Sequence, residues 1–207
     1  MNRFFLILVI GVVIIFSGCA RVVSGLGARI LTVEIELGDN RDPNGYYYLV
    51  FNTAEQIPYV PNPLSGYFYT PDDPNFQFSA ASAYVTTWTH YLVLGPDGYY
   101  KMVRGPFVAG GSYPPEYLEV SSGEANKFKI QFPLSRFEVE EMDTLNFNFI
   151  TARRDHQIID KLNFDYSLAP VAAGVSVVIA PEAGDGVDEF GQKLPALDIV
   201  GGVLRIE

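Results

Sequence analysis

Apolar and polar residues alternate with period two along much of the chain. Leu31, Val33, Ile35 and Leu37 alternate with Thr32, Glu34 and Glu36. That is the pattern of a half-buried antiparallel strand with one charged face. Residues 38–45 then bring Asp39, Asn40, Asp42, Pro43, Asn44 and Gly45 together, which is strong turn chemistry. Residues 46–52 (YYYLVFN) are the next strand, so the pair is expected to form a hairpin. Residues 86–94 and 99–104 flank Gly95-Pro96-Asp97-Gly98. Proline presets the first turn residue and Gly98 suits the left-handed position of a three-residue loop. In that register Leu92 faces Met102, Leu94 faces Tyr100 and His90 faces Arg104. Trp88 then shares a face with His90, Leu92 and Leu94, and Lys101 lies on the other. A one-residue slip would bring Lys101 opposite Leu92 and scatter the apolar side chains.

Further along, Phe128, Ile130 and Phe132 alternate with lysines and a glutamine. Residues 134–141 are expected to turn into a short helix. Residues 145–153 form a strand with Leu145, Phe147 and Phe149 on one face and Asn146 and Asn148 on the other. Residues 158–164, 175–180 and 197–206 complete the strands. Between them lie long loops. Residues 53–83 hold Pro58, Pro61, Pro63, Pro71 and Pro74 among many aromatics, with 66–70 as a short strand. A loop of that length is uncommon in a compact domain and is often functional. Residues 105–123 are rich in Gly and Pro, and residues 181–193 are acidic and Gly-rich. Eight or nine short strands with turn signals between them predict an all-β sandwich or barrel. The expected form is an antiparallel β-sandwich over residues 28–207, with one short helix.

Residues 45–52 (GYYYLVFN), 128–137 (FKIQFPLSRF) and 146–153 (NFNFITAR) resemble the strand order of DOMON and family 9 carbohydrate-binding sandwiches. What the resemblance implies is a sandwich that binds sugars or haem, or has no known ligand. Haem in such domains takes a Met and a His as axial ligands. His90 and Met102 would stand side by side on neighbouring strands, and axial ligands must face each other across the iron. Haem is therefore not expected.

The first twenty residues follow another pattern: Arg3, an unbroken apolar run over 4–16, then Ser17-Gly18-Cys19-Ala20. The run is shorter than the roughly 20 residues of a spanning helix. A basic start and a small-residue exit mark a secretory signal. Phe16-Ser17-Gly18-Cys19 resembles the lipobox of bacterial lipoproteins. That resemblance implies a helical signal peptide over 1–18, acylation of Cys19, and a short tether over 19–27. Cys19 is the only cysteine, so the chain forms no internal disulfide. An uncleaved anchor and a plain secretory signal are the alternatives. Ala20 after the cysteine resembles an outer-membrane destination in a diderm, and in a monoderm the outer face of the plasma membrane.

Composition narrows the partners. A net charge of −10 repels phosphate backbones and anionic lipid headgroups. Nucleic acid is excluded, and membrane attachment falls to the lipid anchor. Ten of the thirteen tyrosines and Trp88 lie between Tyr46 and Tyr100. Exposed rings stack on sugars, so Trp88, Tyr91, Tyr67 and Tyr69 are candidate glycan contacts; the other reading is an aromatic core. Asp39, Asn40, Asp42 and Asn44 begin a calcium-type oxygen loop, but Phe51 stands where the bidentate Glu belongs. Turn chemistry explains the same residues. Asp72, Asp73 and Asn75, and Asp185, Asp188 and Glu189, form similar acidic loop clusters. The chain has two histidines, with no nucleophile elbow and no phosphate-binding glycine loop. Glu138, Glu140 and Glu141 belong to the expected surface helix. The expected function is a non-enzymatic binding or interaction module on the envelope, with a glycan or an envelope protein as partner. A carbohydrate-binding module is the second reading and an envelope hydrolase the third.

Overall fold

A computed structural model describes residues 29–53, 66–78, 83–118, 124–139, 141–162, 167–181, 183–184, 186–188 and 190–207. The expected signal peptide, Cys19 and the tether to residue 27 lie outside the described residues. Two antiparallel sheets form an all-β sandwich. The four-stranded sheet has β1 (Ile30–Leu37) at its centre, between β12 (Ile199–Ile206) and β6 (Lys127–Pro133), with β10 (Val175–Ile179) beyond β12. The larger sheet centres on β2 (Tyr46–Asn52), flanked by β3 (His90–Leu94) and β7 (Thr144–Ala152). Beyond β3 lie β4 (Tyr100–Arg104) and β5 (Glu116–Leu118). Beyond β7 lie β8 (Ile158–Lys161) and β11 (Ala183–Gly184), and β9 (Ser167–Pro170) pairs with the start of β7. One short helix, α1 (Ala83–Thr87), precedes β3.

The period-two pattern explains the main core. Leu31, Val33, Ile35 and Leu37 of β1 face Tyr47, Leu49 and Phe51 of β2 in one buried cluster. Phe128, Phe132, Phe137, Phe147 and Phe149 fill the space between the sheets. Their rings meet edge to face, as for Phe51 on Phe137 at 5.1 Å and Phe128 on Phe149 at 5.0 Å. The outer face of β1 is solvated, and Glu34 pairs there with Lys129 at 3.2 Å. Such exposed pairs add little stability.

The larger sheet is buried on both faces. Tyr48, Val50, Tyr91, Val93, Val103, Ile150, Ala152 and Ile158 point away from the first core. They are covered by Phe68, Val85, Trp88 and Phe107. No second sheet lies there among the described residues; loops and α1 supply the cover. Asn146 and Asn148, expected on the face opposite Phe147 and Phe149, are buried as well.

Several expectations change. β1 and β2 are not a hairpin: they lie in different sheets, and residues 38–45 carry the chain across the sandwich. Both strands are apolar on the inner face, so facing across the core buries more than pairing edge to edge. The β3–β4 hairpin has the expected register, with Leu92 opposite Met102 and Leu94 opposite Tyr100. Gly98 takes φ +74, as the loop demands. Trp88, however, does not share the Leu92 face. Residues 83–87 are helical, so strand parity does not reach Trp88, and its ring joins the second core. The helix expected over 134–141 is a single 3-10 turn, Leu134–Phe137, closed by Glu138 in the left-handed region. Twelve strands appear among the described residues instead of eight or nine. The additions, β5, β9 and β11, are edge segments of two to four residues, too short to show a period.

Two expected outcomes follow from these cores. Trp88 is 2% exposed, so Trp88→Ala should destabilise by about 3–5 kcal/mol in urea unfolding. His90 is buried beside the Phe137 ring and opposite Arg104. Burial first, and then the Arg104 charge, push its imidazole down from 6.5 to about 4, against a hydrogen bond to the Phe137 backbone. Between those values the unfolded chain binds a proton that the folded chain does not. Stability is therefore complete above pH 6.5 and falls as pH drops towards 4, by about 3 kcal/mol in all. Wild type should lose that much more than His90→Gln between pH 7 and pH 4. Parallel pH profiles for the two proteins would contradict the assignment.

Candidate functional site

Among the described residues, the site with the most organised chemistry sits on the second core. Residues 66–68 pair with residues 156–158. Phe68 N–H donates to the His156 carbonyl at 2.8 Å, and Ile158 N–H to that of Gly66 at 2.7 Å. Extended backbone alternates its side chains. Phe68 therefore turns inward, 1% exposed, while Tyr67 on one side and Tyr69 on the other turn outward. The Tyr67 and Tyr69 rings lie parallel within 16°, with centroids 6.2 Å apart. Tyr67 is 62% exposed and Tyr69 is half-buried.

The β7–β8 turn supplies the next ring. His156 N–H bonds to the Arg153 carbonyl at 2.8 Å, and His156 adopts φ 67. Its imidazole stacks on Tyr46 at 4.2 Å and leans on Tyr69 at 4.5 Å. Tyr46 in turn lies parallel to Tyr48 at 5.7 Å. Tyr46 fits because Gly95 lies beneath it: a Cβ there would come within 2.9 Å of the ring. The imidazole is also held at both nitrogens. The Tyr48 hydroxyl lies 2.9 Å from Nδ1 and the Asp73 carboxylate 3.4 Å from Nε2. Burial raises the Tyr48 phenol well above its ordinary range. It stays protonated and can donate to Nδ1, while Nε2 faces Asp73. This hydroxyl–imidazole–carboxylate chain has the order of a catalytic relay. Tyr48 is 1% exposed, so its oxygen meets no substrate. The chain positions the ring.

The outer face continues beyond this column. In register, Tyr48 neighbours Val93, Val93 neighbours Lys101, and Lys101 neighbours Tyr117. Tyr117 and Tyr99 are exposed and meet edge to face at 6.0 Å. Lys101 sits 5.8 Å over the Tyr117 ring and pairs with Asp97.

Of the sequence-predicted contacts, Tyr67 and Tyr69 are therefore on the surface and Trp88 and Tyr91 are not. Tyr91 is fully buried, against Phe68 at 5.9 Å and Phe107 at 5.1 Å. A ring without an accessible face offers none to a sugar. Trp88 and Tyr91 instead support the floor on which Phe68 rests. Sequence reading missed Tyr46, Asp73 and His156 as a group. The Gly-Tyr-Tyr opening of β2 and the Asp-His turn were the available signals, and only folding joins them.

Asp39, Asn40, Asp42 and Asn44 form the crossover between the sheets. Asp39 Oδ1 accepts the Asn40 N–H at 2.7 Å, and Asp42 Oδ1 accepts the Asn44 N–H at 2.8 Å. These are turn bonds, and among the described residues no three His, Cys, Asp or Glu are grouped to hold a metal. The Tyr47 hydroxyl accepts the Asp42 N–H at 2.7 Å and donates to the Ala196 carbonyl at 2.9 Å. Burial pushes the Tyr47 phenol up, so it stays protonated. Cavities of about 550 and 680 Å³ flank this loop, and Arg41 lines both.

No family model, curated protein or solved structure matches the chain. Among the described residues, no helix is long and apolar enough to cross a membrane.

Proposed function

We propose that this protein is a non-catalytic binding module of the cell envelope, and that it takes a glycan on the Tyr67–Tyr69 pair. The observation that carries the reading is that pair: two parallel, accessible rings on a rigid backing. Sugar rings present flat C–H faces, and parallel aromatic rings match them with little loss of side-chain freedom. Asp73, Asp155 and Gln157 stand near the pair as hydrogen-bonding groups for hydroxyls. Tyr67 is bridged to Gln157, and His156, whose ring leans on Tyr69, is held at both nitrogens. A platform ordered before binding avoids the entropy of ordering it afterwards. The strand pattern that resembles family 9 carbohydrate-binding sandwiches points the same way.

The test is titration with neutral cello-, xylo- and chito-oligosaccharides. Each of Tyr67→Ala and Tyr69→Ala should weaken binding roughly three- to tenfold, the range of one aromatic stacking contact. Their melting temperatures should stay within a degree or two of wild type, because neither ring belongs to a core. If neither variant changes an affinity measured for wild type, the pair is not the contact surface.

Cys19 tethers the module to the membrane in this reading. Support comes from Phe16-Ser17-Gly18-Cys19 and from the absence of any other cysteine. Acyl chains contribute about 0.8 kcal/mol per buried carbon, so several on one residue hold a domain durably. Cys19→Ala should abolish incorporation of labelled palmitate and release the protein from the membrane fraction. Undiminished palmitate labelling of that variant would exclude Cys19 as the anchor.

A further inference from the structure

We infer that the cavity between the 38–45 crossover and the β3–β4 hairpin is a second subsite, and that it takes a hexuronate, a sugar carrying one carboxylate. The cavity measures about 550 Å³, within the range of roughly 300–1,000 Å³ for small-ligand sites. Arg41, Asp42, Tyr99 and Tyr100 supply its chemistry, and Leu94 and Pro96 are among its apolar walls.

Arg41 is the reason for the anion. The chain has 24 acidic residues against 14 basic ones, so arginines find carboxylates easily. Arg104, Arg136 and Arg153 do, whereas Arg29, Arg154 and Arg205 form no carboxylate pair among the described residues and Arg29 bonds the Val171 carbonyl instead. Arg41 is half-buried and forms no such pair among the described residues. Its guanidinium makes one hydrogen bond, Nη1 to the Tyr100 hydroxyl at 3.3 Å, and its buried Nε has no partner. A half-buried guanidinium with spare donors suits a carboxylate, which takes two parallel N–H bonds from it. Since Tyr100 oxygen accepts from Arg41, its own proton is free to be donated to the same anion.

The backbone holds this cation in place. Arg41 N–H bonds to the Ala125 carbonyl at 2.9 Å, and the next residue is fixed through Tyr47. Asp42 then restricts the ligand. One of its carboxylate oxygens serves the turn, and the second accepts nothing from the described residues. A free carboxylate beside Arg41 repels a multiply charged anion such as phosphate and accepts hydroxyl groups. The pair therefore favours a ligand with one negative charge and several hydroxyls. Tyr99, 63% exposed, offers a ring face for the apolar side of the sugar. The sugar part of this assignment rests on the glycan-binding reading above; the carboxylate part rests on Arg41.

The Arg41 Nε–H resonance in ¹⁵N-labelled protein tests the subsite directly. Galacturonate should shift it saturably, while galactose and inorganic phosphate should leave it in place. Arg41→Met should lower galacturonate affinity at least tenfold at unchanged melting temperature, and Arg41→Lys should retain part of it. Tyr67→Ala should bind galacturonate as wild type does. Absence of a galacturonate response, an equal response to galactose or to phosphate, or undiminished binding by Arg41→Met would overturn the proposal. The two readings fail separately. If galacturonate binds through Arg41 while neutral oligosaccharides bind nowhere, the tyrosine platform falls and this subsite stands. If neutral oligosaccharides need Tyr67 and galacturonate leaves Arg41 unmoved, the reverse holds.

Discussion

The structure depends on burying β2 from both sides. Six of its seven residues are buried, in the run Tyr47 to Asn52. A strand covered on one face alternates apolar and polar; one covered on both reads as a continuous apolar run. β2 is such a run, so the fold must supply two cores. The first is the ordinary interior of a sandwich. The second needs a cover that no sheet provides among the described residues. Phe68, Trp88 and Phe107, each from a loop or a short helical turn, do that work. This accounts for aromatic residues in segments whose proline content would otherwise suit a solvated loop.

The second core also explains why the exposed tyrosines are ordered. Phe68 is pinned among Tyr48 and Tyr91, at 4.8 and 5.9 Å. Its neighbours on either side, Tyr67 and Tyr69, must then face outward. Backbone pairing with residues 156–158 removes the remaining freedom. His156 completes the arrangement as a spacer between Tyr46 and Tyr69, held by Tyr48 below and Asp73 beside it. A buried phenol kept neutral by desolvation is a reliable donor over a wide pH range, so the clamp on Nδ1 does not depend on the phenol's ionisation.

Local periodicity made much of this fold legible. β1, β6 and β7 follow from alternation, β2 from its apolar run, and the hairpin register from Gly95-Pro96-Asp97-Gly98. Three things did not follow. The partner of β1 is a long-range matter: Leu31 pairs with Ile206 and Phe132, far away in the chain. Turn residues 38–45 show that the chain reverses, but not whether it returns in the same sheet. Trp88 was misplaced because parity was carried through residues 83–87, which are helical. Of the platform, Tyr67 and Tyr69 were legible as loop aromatics beside polar residues. Trp88 and Tyr91 looked the same by composition, since an aromatic residue carries no local mark of which side of a sheet it will cover. Asp73 was legible only as part of an acidic loop cluster, and nothing local tied it to His156, because their meeting depends on two loops closing over one sheet.

Electrostatics separates structural cations from the one argued to bind. Arg104 bridges Glu116 and Glu138, and Arg136 shares Glu116. That network ties β4, β5 and the turn after β6 together, and its charges are matched within it. Lys127 is matched likewise by Glu124, and Lys129 by Glu34. Arg41 has no such partner among the described residues, and the crossover loop supplies a reason. Asp39 and Asp42 sit beside it, yet each directs a carboxylate oxygen to a backbone N–H of the turn. The turn bonds that carry the chain between sheets hold those carboxylates in the turn, and among the described residues neither forms an ion pair with Arg41. The same constraint that closes the sandwich keeps a guanidinium available at its rim.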